Sequence, residues 1–346
     1  MRHRLVSFDA LTTRELDAWH GFLAANSALD SPCYHPGFAA SVHAGGRPVR
    51  VLVSEEDGVV RALLPVQLDG GLARPAGWPA ADFQGPVLAP GTRFEPRALL
   101  GAGLRGYAFD HLPAGYGEFA PWVAHSRPSP FLDVSGGLDG YLGRVSRSGK
   151  DKMGEARRLT AKIEREHGPV RFTADSRDPA ALDRVIELKR TQYAATGARD
   201  YFADPARADW LHRLLRTTDP AFGGLLCTVH IGPKLVAAHF GMRASHVLHW
   251  WFPVYDKEFA RLSPGWILLR EVIRAAPGLG LERIDLGRGE DDYKRRAMTG
   301  QVMVGEGLVA GGVRRALHGA SRSAVAAVKA SPLAPKLRAV ARRLRS

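Results

Sequence analysis

Three dipeptides in the second half of the chain constrain the fold more than any other sequence feature. Asp178-Pro179, Asp204-Pro205 and Ser263-Pro264 each place a capping side chain directly before a proline. The capping oxygen can accept a hydrogen bond from a free amide of the first turn, and proline at the first helical position has no N–H to leave unsatisfied. Helices are therefore predicted to begin at Pro179, Pro205 and Pro264.

Apolar periodicity predicts the remaining elements and an α/β fold with a mixed sheet. The second half is predicted to contain helices at 179–195, 205–217 and 264–276, and strands at 170–174, 224–231, 234–243, 246–254, 283–286 and 302–309. The first half is predicted to contain helices at 13–25 and 94–100, a loop at 75–90, and strands at 49–54, 59–67, 107–112 and 119–123. A basic helical segment at 138–166 bridges the two halves.

The length of 346 residues suits two domains that each bury their own core. Segment 59–65 resembles segment 235–241, each as the second arm of a hairpin, which indicates a duplication; unrelated amphipathic hairpins can look equally alike. The first half has no counterpart of the helix start at Ser263, so it is expected to have lost the chemistry. The predicted boundaries are 1–137 for a degenerate N-terminal domain, 138–311 for a catalytic C-terminal domain and 312–346 for a basic tail.

The net charge of +13 is unevenly distributed. Residues 312–346 hold nine of the 48 Lys and Arg residues and no acid, which leaves 39 basic against 35 acidic residues, or +4, for residues 1–311. A second basic stretch runs from Arg144 to Arg165. Both stretches can attract phosphates, lipid headgroups or nucleic acid, or they can be solvated helix faces. In the tail, apolar residues from Leu337 to Leu344 recur at helical spacing, which predicts an amphipathic helix that contacts an anionic membrane surface; a solvated tail is the alternative.

Compartment signals favour a cytoplasmic protein. No run of about 18 apolar residues occurs, and the N-terminus has no apolar segment typical of a signal peptide. Cys33 and Cys227 stand alone, without the spacing of a disulfide framework or a metal site.

Two further sequence patterns are weak evidence for a dinucleotide site or a metal site. Residues 101–106 match the spelling G-x-G-x-x-G, but a predicted helix precedes them where a dinucleotide loop requires a strand. His246 and His249 are three apart on a predicted strand, so they point to opposite faces and are not expected to chelate a metal. No metal is therefore predicted.

The helix start at Ser263-Pro264-Gly265 is a candidate phosphate site. The serine is expected to cap the helix, and the glycine would let an anion approach the amides of Gly265, Trp266 and Ile267. An ordinary well-capped helix is the alternative.

A second candidate segment runs from Ile284 to Lys294. A strand is predicted to end near Asp285, two glycines follow, and Tyr293-Lys294 comes next. Binding sites in α/β folds gather at the carboxyl ends of strands. A charged surface loop is the competing interpretation.

The order of these motifs resembles the CelD-type family of GNAT-fold acyltransferases, which is named for cellulose biosynthesis and is related to the Fem peptidoglycan ligases. The resemblance covers about residues 5–310 and rests on a common set of segments. These are Ser31–Phe38, Asp82–Gly85, the basic helix 144–166, Tyr255-Asp256, Ser263–Gly265, Ile284–Gly287 and Tyr293-Lys294.

The resemblance implies tandem GNAT-like domains and an acyl-CoA donor, with acetyl-CoA expected, whose pyrophosphate lies at Ser263-Pro264-Gly265. One departure matters, because the usual GNAT pyrophosphate loop is richer in glycine than Ala260–Gly265. Because this segment offers fewer backbone donors to the anion than a glycine-rich loop would, an acyl carrier protein or aminoacyl-tRNA is the alternative donor.

The leading functional hypothesis is transfer of an acyl group from a thioester to an amine or hydroxyl, with sugars, exopolysaccharides and cell-envelope precursors as candidate acceptors. A Fem-like ligase that uses aminoacyl-tRNA is the second hypothesis, because the basic stretches could supply phosphate contacts. A non-catalytic protein that docks on a membrane or nucleic acid is the third. Under the leading hypothesis nucleic acid is not an expected partner.

Acyl transfer needs an acid for the departing thiolate and a base for the acceptor. In GNAT enzymes a tyrosine just after the fifth strand often serves as the acid, which implies Tyr293. Asp256 is the first candidate for the base because it follows the strand expected to line the acceptor cleft, with His239 and His249 as alternatives. Tyr255, Trp251, Asp285 and Lys294 are predicted to bind substrate.

Overall fold

The computed structural model describes residues 1–289 and 291–312. The predicted basic tail, apart from Gly312, lies outside the described residues.

Strands and helices are distributed along the whole described chain. The first half contains β1 (Arg2–Ser7), α1 (Thr13–Ala25), α2 (Pro36–Ala44), β2 (Arg50–Glu56), β3 (Val59–Asp69), β4 (Leu72–Pro75), β5 (Val87–Leu88), α3 (Ala98–Gly101), β6 (Gly106–Pro113) and β7 (Val123–Asp133). The second half contains α4 (Gly137–Arg144), α5 (Arg147–His167), β8 (Val170–Thr173), α6 (Pro179–Thr196), α7 (Pro205–Arg216), β9 (Phe222–Ile231), β10 (Lys234–Ala244), β11 (Val247–Tyr255), α8 (Pro264–Ala275), β12 (Arg283–Asp285), α9 (Asp292–Ala297) and β13 (Gly300–Ala310).

Local capping explains where the long helices begin. The carboxylate of Asp178 accepts from the Ala180 amide at 2.9 Å, and that of Asp204 accepts from the Ala206 amide at 3.1 Å. Both predicted caps are confirmed. The third is wrong: Ser263 has a left-handed backbone (φ 49°), and its side chain makes no capping bond to α8.

Other differences from the predicted elements also have local causes. The predicted strand at 119–123 is a 3₁₀ turn (Gly117–Trp122), and β7 begins only after it. The predicted helix at 94–100 is reduced to the short α3. The bridging segment forms two helices because the Ser146 hydroxyl accepts from the Gly149 amide at 3.3 Å and starts α5 anew.

The thirteen strands of the described residues form one mixed sheet, which confirms the predicted fold class. The strand order is β1-β2-β3-β4-β6-β13-β7-β12-β11-β10-β9-β8, and β5 pairs with β3. Strand β13, from the end of the second half, pairs with β6 and β7; strand β7, from the first half, pairs with β12 and β13. Each half therefore contributes its last strand to the junction between the halves. The predicted domain boundaries stay a prediction.

Parallel pairing occurs at two corresponding places in the sheet, and the strands separate after each. β4 pairs with β6 only at Leu72↔Gly106 and Ala73↔Tyr107, and β11 pairs with β12 from Val247↔Arg283 to His249↔Asp285. In the first half, segment 76–86 occupies the region beyond the pairing. The Gln84 side chain ties it to β6 by bonds to the Asp110 carboxylate and to the amides of Asp110 and His111. Only about 20 Å³ of free space remains there.

Helices cover both faces of the sheet in the second half. Leu182, Val185 and Leu188 of α6 pack with Phe252 and Val254 of β11 on one face. On the other face, Ile267 and Leu268 of α8 pack with Leu248 and Trp250 of the same strand. A regular strand would keep these four residues of β11 on one face, because they are spaced by two. β11 instead changes face between Trp250 and Phe252, where its pairing with β10 shifts register.

Candidate active site

An open gap begins where β11 and β12 separate. β12 ends at Asp285, whereas β11 continues through Tyr255, six residues beyond its last pair with β12. A cleft of about 400 Å³ lies beside this free end of β11. Its lining includes Gln192, Trp250, Pro253, Tyr255, Gly265 and Tyr293. Because Gln192 belongs to α6 and Gly265 to α8, the cleft connects the two faces of the sheet.

The start of α8 forms one wall of the cleft. The Ser263 carbonyl accepts hydrogen bonds from the Trp266 amide at 3.0 Å and the Ile267 amide at 3.3 Å. The expectation that both amides are free for an anion is therefore wrong. Pro264 has no N–H, so Gly265 presents the one first-turn amide without a backbone partner in the described chain, and the helix dipole adds partial positive charge there.

Tyr293 approaches the cleft from α9. Its side chain is partly buried and lines the cleft with Trp250 and Leu269. Burial raises the pKa of the phenol, and the Asp291 carboxylate raises it further. The phenol therefore stays protonated at neutral pH and can donate a proton or a hydrogen bond.

Lys294 points away from solvent and secures the turn that follows β12. Its Nζ donates to the carbonyls of Gly287 at 3.2 Å and Arg288 at 2.9 Å, and lies 3.6 Å from an Asp291 carboxylate oxygen. Burial lowers the pKa of the amine, against the opposing effect of Asp291. Gly287 has φ 71°, and a Cβ there would lie 2.5 Å from Asp82 Oδ2, so the turn is closely packed. These contacts position the turn; the predicted substrate contact of Lys294 stays a prediction.

Asp256 lies beside the cleft but does not line it. One carboxylate oxygen accepts from Arg184 Nη2 at 2.9 Å, and the other accepts from the Glu258 amide at 3.0 Å. It borders a separate pocket of about 180 Å³, which also includes Arg184 and Tyr255. The carboxylate is thus engaged in an ion pair and a helix cap, which leaves it poorly placed for the predicted role of base.

The two candidate histidines are buried in the sheet. His239 is fully buried and its ring stacks on Trp250 at 3.8 Å, while its Nε2 accepts from the Trp251 amide at 3.1 Å. His249 is 2% exposed, and its Nε2 lies 3.5 Å from Asp82 Oδ2. Burial lowers the pKa of both rings, so they are neutral at neutral pH. Neither ring is part of the cleft lining.

Asp82 connects the first half of the chain to this region. Its carboxylate lies 2.8 Å from His111 Nδ1 as well as beside His249. Burial alone would raise the pKa of Asp82, but His111, His249 and Arg288 hold it below its usual value. The carboxylate therefore stays charged and links β6, β11 and the turn after β12.

Two further predicted substrate residues have structural contacts. Asp285 is 1% exposed, and its carboxylate accepts from Arg283 at 2.9 and 3.2 Å. Arg283 also binds Asp30 in the first half. Trp251 faces α7, where its ring meets Trp210 edge-on at 5.1 Å. His246, predicted to lie on a strand, is in the turn before β11 and lies 3.3 Å from Asp30.

Sequence reasoning missed Lys189 and Gln192 on α6. Gln192 lines the cleft, and Lys189 Nζ donates to the carbonyl of Pro253, another lining residue, at 3.4 Å. The sequence did contain one indication: Lys189 and Gln192 are three positions apart, which places both side chains on one face of a helix. A lysine on the inward face of an amphipathic helix is unusual enough to be noticed.

We expect the buried histidines to make folding stability depend on pH. His35 caps α2 through Nδ1, which accepts from the Gly37 amide at 3.1 Å, and burial lowers its pKa to about 4. Because the pKa values of His35, His239 and His249 are lower in the fold than the unfolded value of about 6.5, their contribution is present above pH 6.5 and is lost as pH falls. For His35 the slope approaches about 1.4 kcal/mol per pH unit between its unfolded and folded pKa values.

Urea unfolding between pH 7.5 and 5 measures this effect, with His35→Asn as the matched variant. Asparagine retains a capping oxygen but does not titrate. Below about pH 6.5 the variant should lose up to about 1.4 kcal/mol less per pH unit than the wild type, and above that pH the two slopes should agree. Identical pH dependence in the two proteins would contradict the assignment for His35.

Among residues 1–289 and 291–312, no group of three or more His, Cys, Asp or Glu side chains is arranged to hold a metal ion. In the same part of the chain, no helix is both long and apolar enough to cross a membrane.

Comparison with known proteins identifies the fold. Residues 150–295 match the family model of the acetyltransferase (GNAT) domain. No curated protein matches the chain. The matched region spans α5 to α9 and so includes every lining residue of the cleft.

Solved structures match over most of the chain. The crystal structure of FemX is 12% identical, covers 89% of this chain and 96% of its own, and has a TM-score of 0.57. The C-terminal domain (DUF2156) of an Agrobacterium fabrum protein described as a lysylphosphatidylglycerol synthetase is 16% identical, covers 91% of this chain and 96% of its own, and has a TM-score of 0.55. A conserved protein of unknown function from Bacteroides thetaiotaomicron is 11% identical, covers 86% of this chain and 98% of its own, and has a TM-score of 0.54.

Residues 150–295 therefore have the GNAT fold, and the separation of parallel strands in both halves of the chain fits the predicted tandem arrangement. Similarity to the Fem proteins holds at the level of the fold. The CelD-type assignment stays a prediction.

Proposed function

We propose that this protein transfers an acyl group from a thioester, with acyl-CoA as the favoured donor, to an amine or hydroxyl. The observation that carries the proposal is the open gap between β11 and β12, which passes beside the unpaired Gly265 amide and the Tyr293 phenol. The GNAT match of residues 150–295 supports acyl-CoA use in general. Acetyl-CoA is the first donor to test.

The cleft suits a donor that enters from the α8 face and an acceptor that enters from the α6 face. Phosphates at the start of α8 would meet the Gly265 amide and the positive end of the helix dipole. The thioester would then extend along the free end of β11 toward Tyr293. The acceptor attacks the thioester carbonyl, and the Tyr293 phenol donates a proton to the sulfur as the carbon–sulfur bond breaks.

A second candidate donor is aminoacyl-tRNA. Helix α5 packs against α8 and exposes Arg157, Arg158 and Arg165, which could contact a nucleic-acid backbone near the donor site. The single unpaired amide at α8 also provides fewer donors for a pyrophosphate than a glycine-rich loop would. A Fem-like ligase is therefore the alternative to an acyl-CoA enzyme.

The proposal extends to the acceptor and the location of the protein. We keep saccharides and cell-envelope precursors as the acceptor classes to test, under the CelD-type hypothesis. We also keep a cytoplasmic location, with the basic tail as a contact to an anionic membrane surface.

Donor binding is the most direct test. A ligand at 100 times its dissociation constant stabilises the fold by about 2.7 kcal/mol, so CoA should raise the melting temperature of the full chain by several degrees. With acetyl-CoA and a panel of amines and sugars, free thiol should then appear only with an accepted acceptor. Absence of stabilisation by CoA, together with binding of tRNA that weakens steeply with salt, would replace the acyl-CoA proposal with the ligase.

A further inference from the structure

Lys189 lies on α6 directly behind the lining of the cleft, in contact with the lining residue Pro253. Its Nζ is 3.4 Å from the Pro253 carbonyl oxygen, on the part of β11 that has no partner strand on the side of β12. Gln192, one helical turn further along α6, lines the cleft together with Pro253. The Lys189 amine therefore lies between two lining residues, on the face of the sheet opposite to α8.

The surroundings of Lys189 disfavour its charged form. Its amine makes no ion pair with a carboxylate of the described residues, and its Nζ lies 5.6 Å from the Tyr193 ring centroid. Burial and, to a smaller extent, the Lys294 ammonium lower the pKa of Lys189 to about 8, against the opposing Asp291 carboxylate. His239 of β10, whose pKa the Lys189 ammonium helps to lower, is neutral at neutral pH.

Other groups with the chemistry of a base are engaged or enclosed. The Asp256 carboxylate is held by Arg184 and the Glu258 amide. His239 accepts the Trp251 amide through Nε2, and His249 lies against Asp82 inside the sheet. Lys189 instead makes one hydrogen bond to the carbonyl of Pro253, a lining residue of the cleft, and this bond leaves the lone pair of a neutral amine free.

We propose that Lys189 is the general base that takes the proton of the attacking amine or hydroxyl. This inference rests on the proposed acyl transfer. The lone pair of neutral Nζ accepts the acceptor's proton as the acceptor forms its bond to the thioester carbon, and the carbonyl electron pair moves to oxygen. When the carbonyl forms again, the carbon–sulfur bond breaks and the thiolate takes the Tyr293 proton. Tyr293 is then reprotonated by the Lys189 ammonium, so the products are the acylated acceptor and a free thiol.

Two variants of Lys189 distinguish a base from a positive charge. Lys189→Met removes both properties, and Lys189→Arg retains the charge but cannot lose its proton near neutral pH. If Lys189 is the base, both variants should lower kcat by about 10²–10⁴-fold and leave the dissociation constant of CoA nearly unchanged. Lys162→Met, which removes an exposed lysine of α5, is the matched control and should retain wild-type turnover.

The pH dependence of kcat distinguishes a base from a purely structural role of Lys189, because a structural residue would not set the position of the limb. Wild-type kcat should rise with pH through a limb near pH 8, the region where Lys189 loses its proton. Lys189→Cys treated with bromoethylamine restores a less basic amine at the same place, because Cys33 and Cys227 are buried and protected from the reagent. The treated protein should regain turnover, with the limb moved to lower pH.

Each outcome decides the assignment. Turnover of Lys189→Arg within threefold of wild type, or an unchanged limb in the treated cysteine variant, would overturn Lys189 as the base while leaving the acyltransferase proposal intact. A wild-type protein that neither binds CoA nor releases thiol would overturn both proposals. Circular dichroism and CoA-dependent stabilisation of each variant establish that it is folded.

Discussion

Replacing Tyr293 by phenylalanine is expected to lower turnover by about 10²–10⁴-fold and to leave donor binding nearly unchanged. The phenol lines the cleft, and burial keeps it protonated, so it can supply a proton to the departing sulfur. Phenylalanine fills the same space but has no proton to donate. Because the pKa of Tyr293 is raised above the usual value of about 10, its ionisation should not limit activity below that pH.

Single-turnover measurements of thiol release test this expectation, with Tyr107→Phe as the control. Tyr107 is fully buried in the core of the first half, and its hydroxyl has no hydrogen-bond partner in the described chain. Its removal should leave both stability and turnover close to wild type. If Tyr293→Phe turns over within threefold of wild type, another group protonates the sulfur.

Replacing Gly265 by valine is expected to weaken CoA binding by at least tenfold, or about 1.4 kcal/mol. A Cβ at this position would meet only Tyr255 Cδ1, at 3.9 Å, so the variant should fold without a clash. The valine methyl groups would instead occupy the cleft and cover the one unpaired amide at the start of α8. Valine has a better helix propensity than glycine, so lower stability should not explain the loss.

Isothermal titration with CoA measures the effect, and Ser263→Ala is its matched control. The Ser263 side chain makes no capping bond, so its removal should change the affinity far less than the bulk added at Gly265. Equal CoA affinity in the wild type and Gly265→Val would mean that the donor phosphates bind elsewhere.

Local chemistry in the sequence was sufficient to predict most of the fold. The helix starts at Pro179, Pro205 and Pro264 and the helix at Thr13–Ala25 agree with the structure, because a proline and an apolar period act within one or two turns. A side-chain cap is present at all of these starts except Pro264. The hairpins of β2–β3 and β9–β10 follow from the same short-range rules. The motif order also led to the GNAT fold.

The sequence identified the neighbourhood of the candidate site but not its working arrangement. Tyr293, Tyr255, Gly265 and Trp266 do line one cleft, although they are up to 38 positions apart (293 − 255 = 38). The left-handed backbone of Ser263 and the two amides bonded to its carbonyl depend on how the chain enters α8. No composition or spacing signals that geometry.

Only the tertiary structure decided which ionisable groups border the cleft. His249 lies against Asp82, 167 positions away (249 − 82 = 167), and Asp256 pairs with Arg184 on another element. The position of β7 and β13 at the junction between the two halves likewise depends on pairing between strands that are distant in the sequence. Burial and hydrogen-bond partners determine whether a carboxylate, an imidazole or an amine can take a proton, and both arise from contacts between residues far apart in the chain. Lys189 is a candidate base because the fold places it on a carbonyl of the cleft lining, Pro253, one helical turn from the lining residue Gln192.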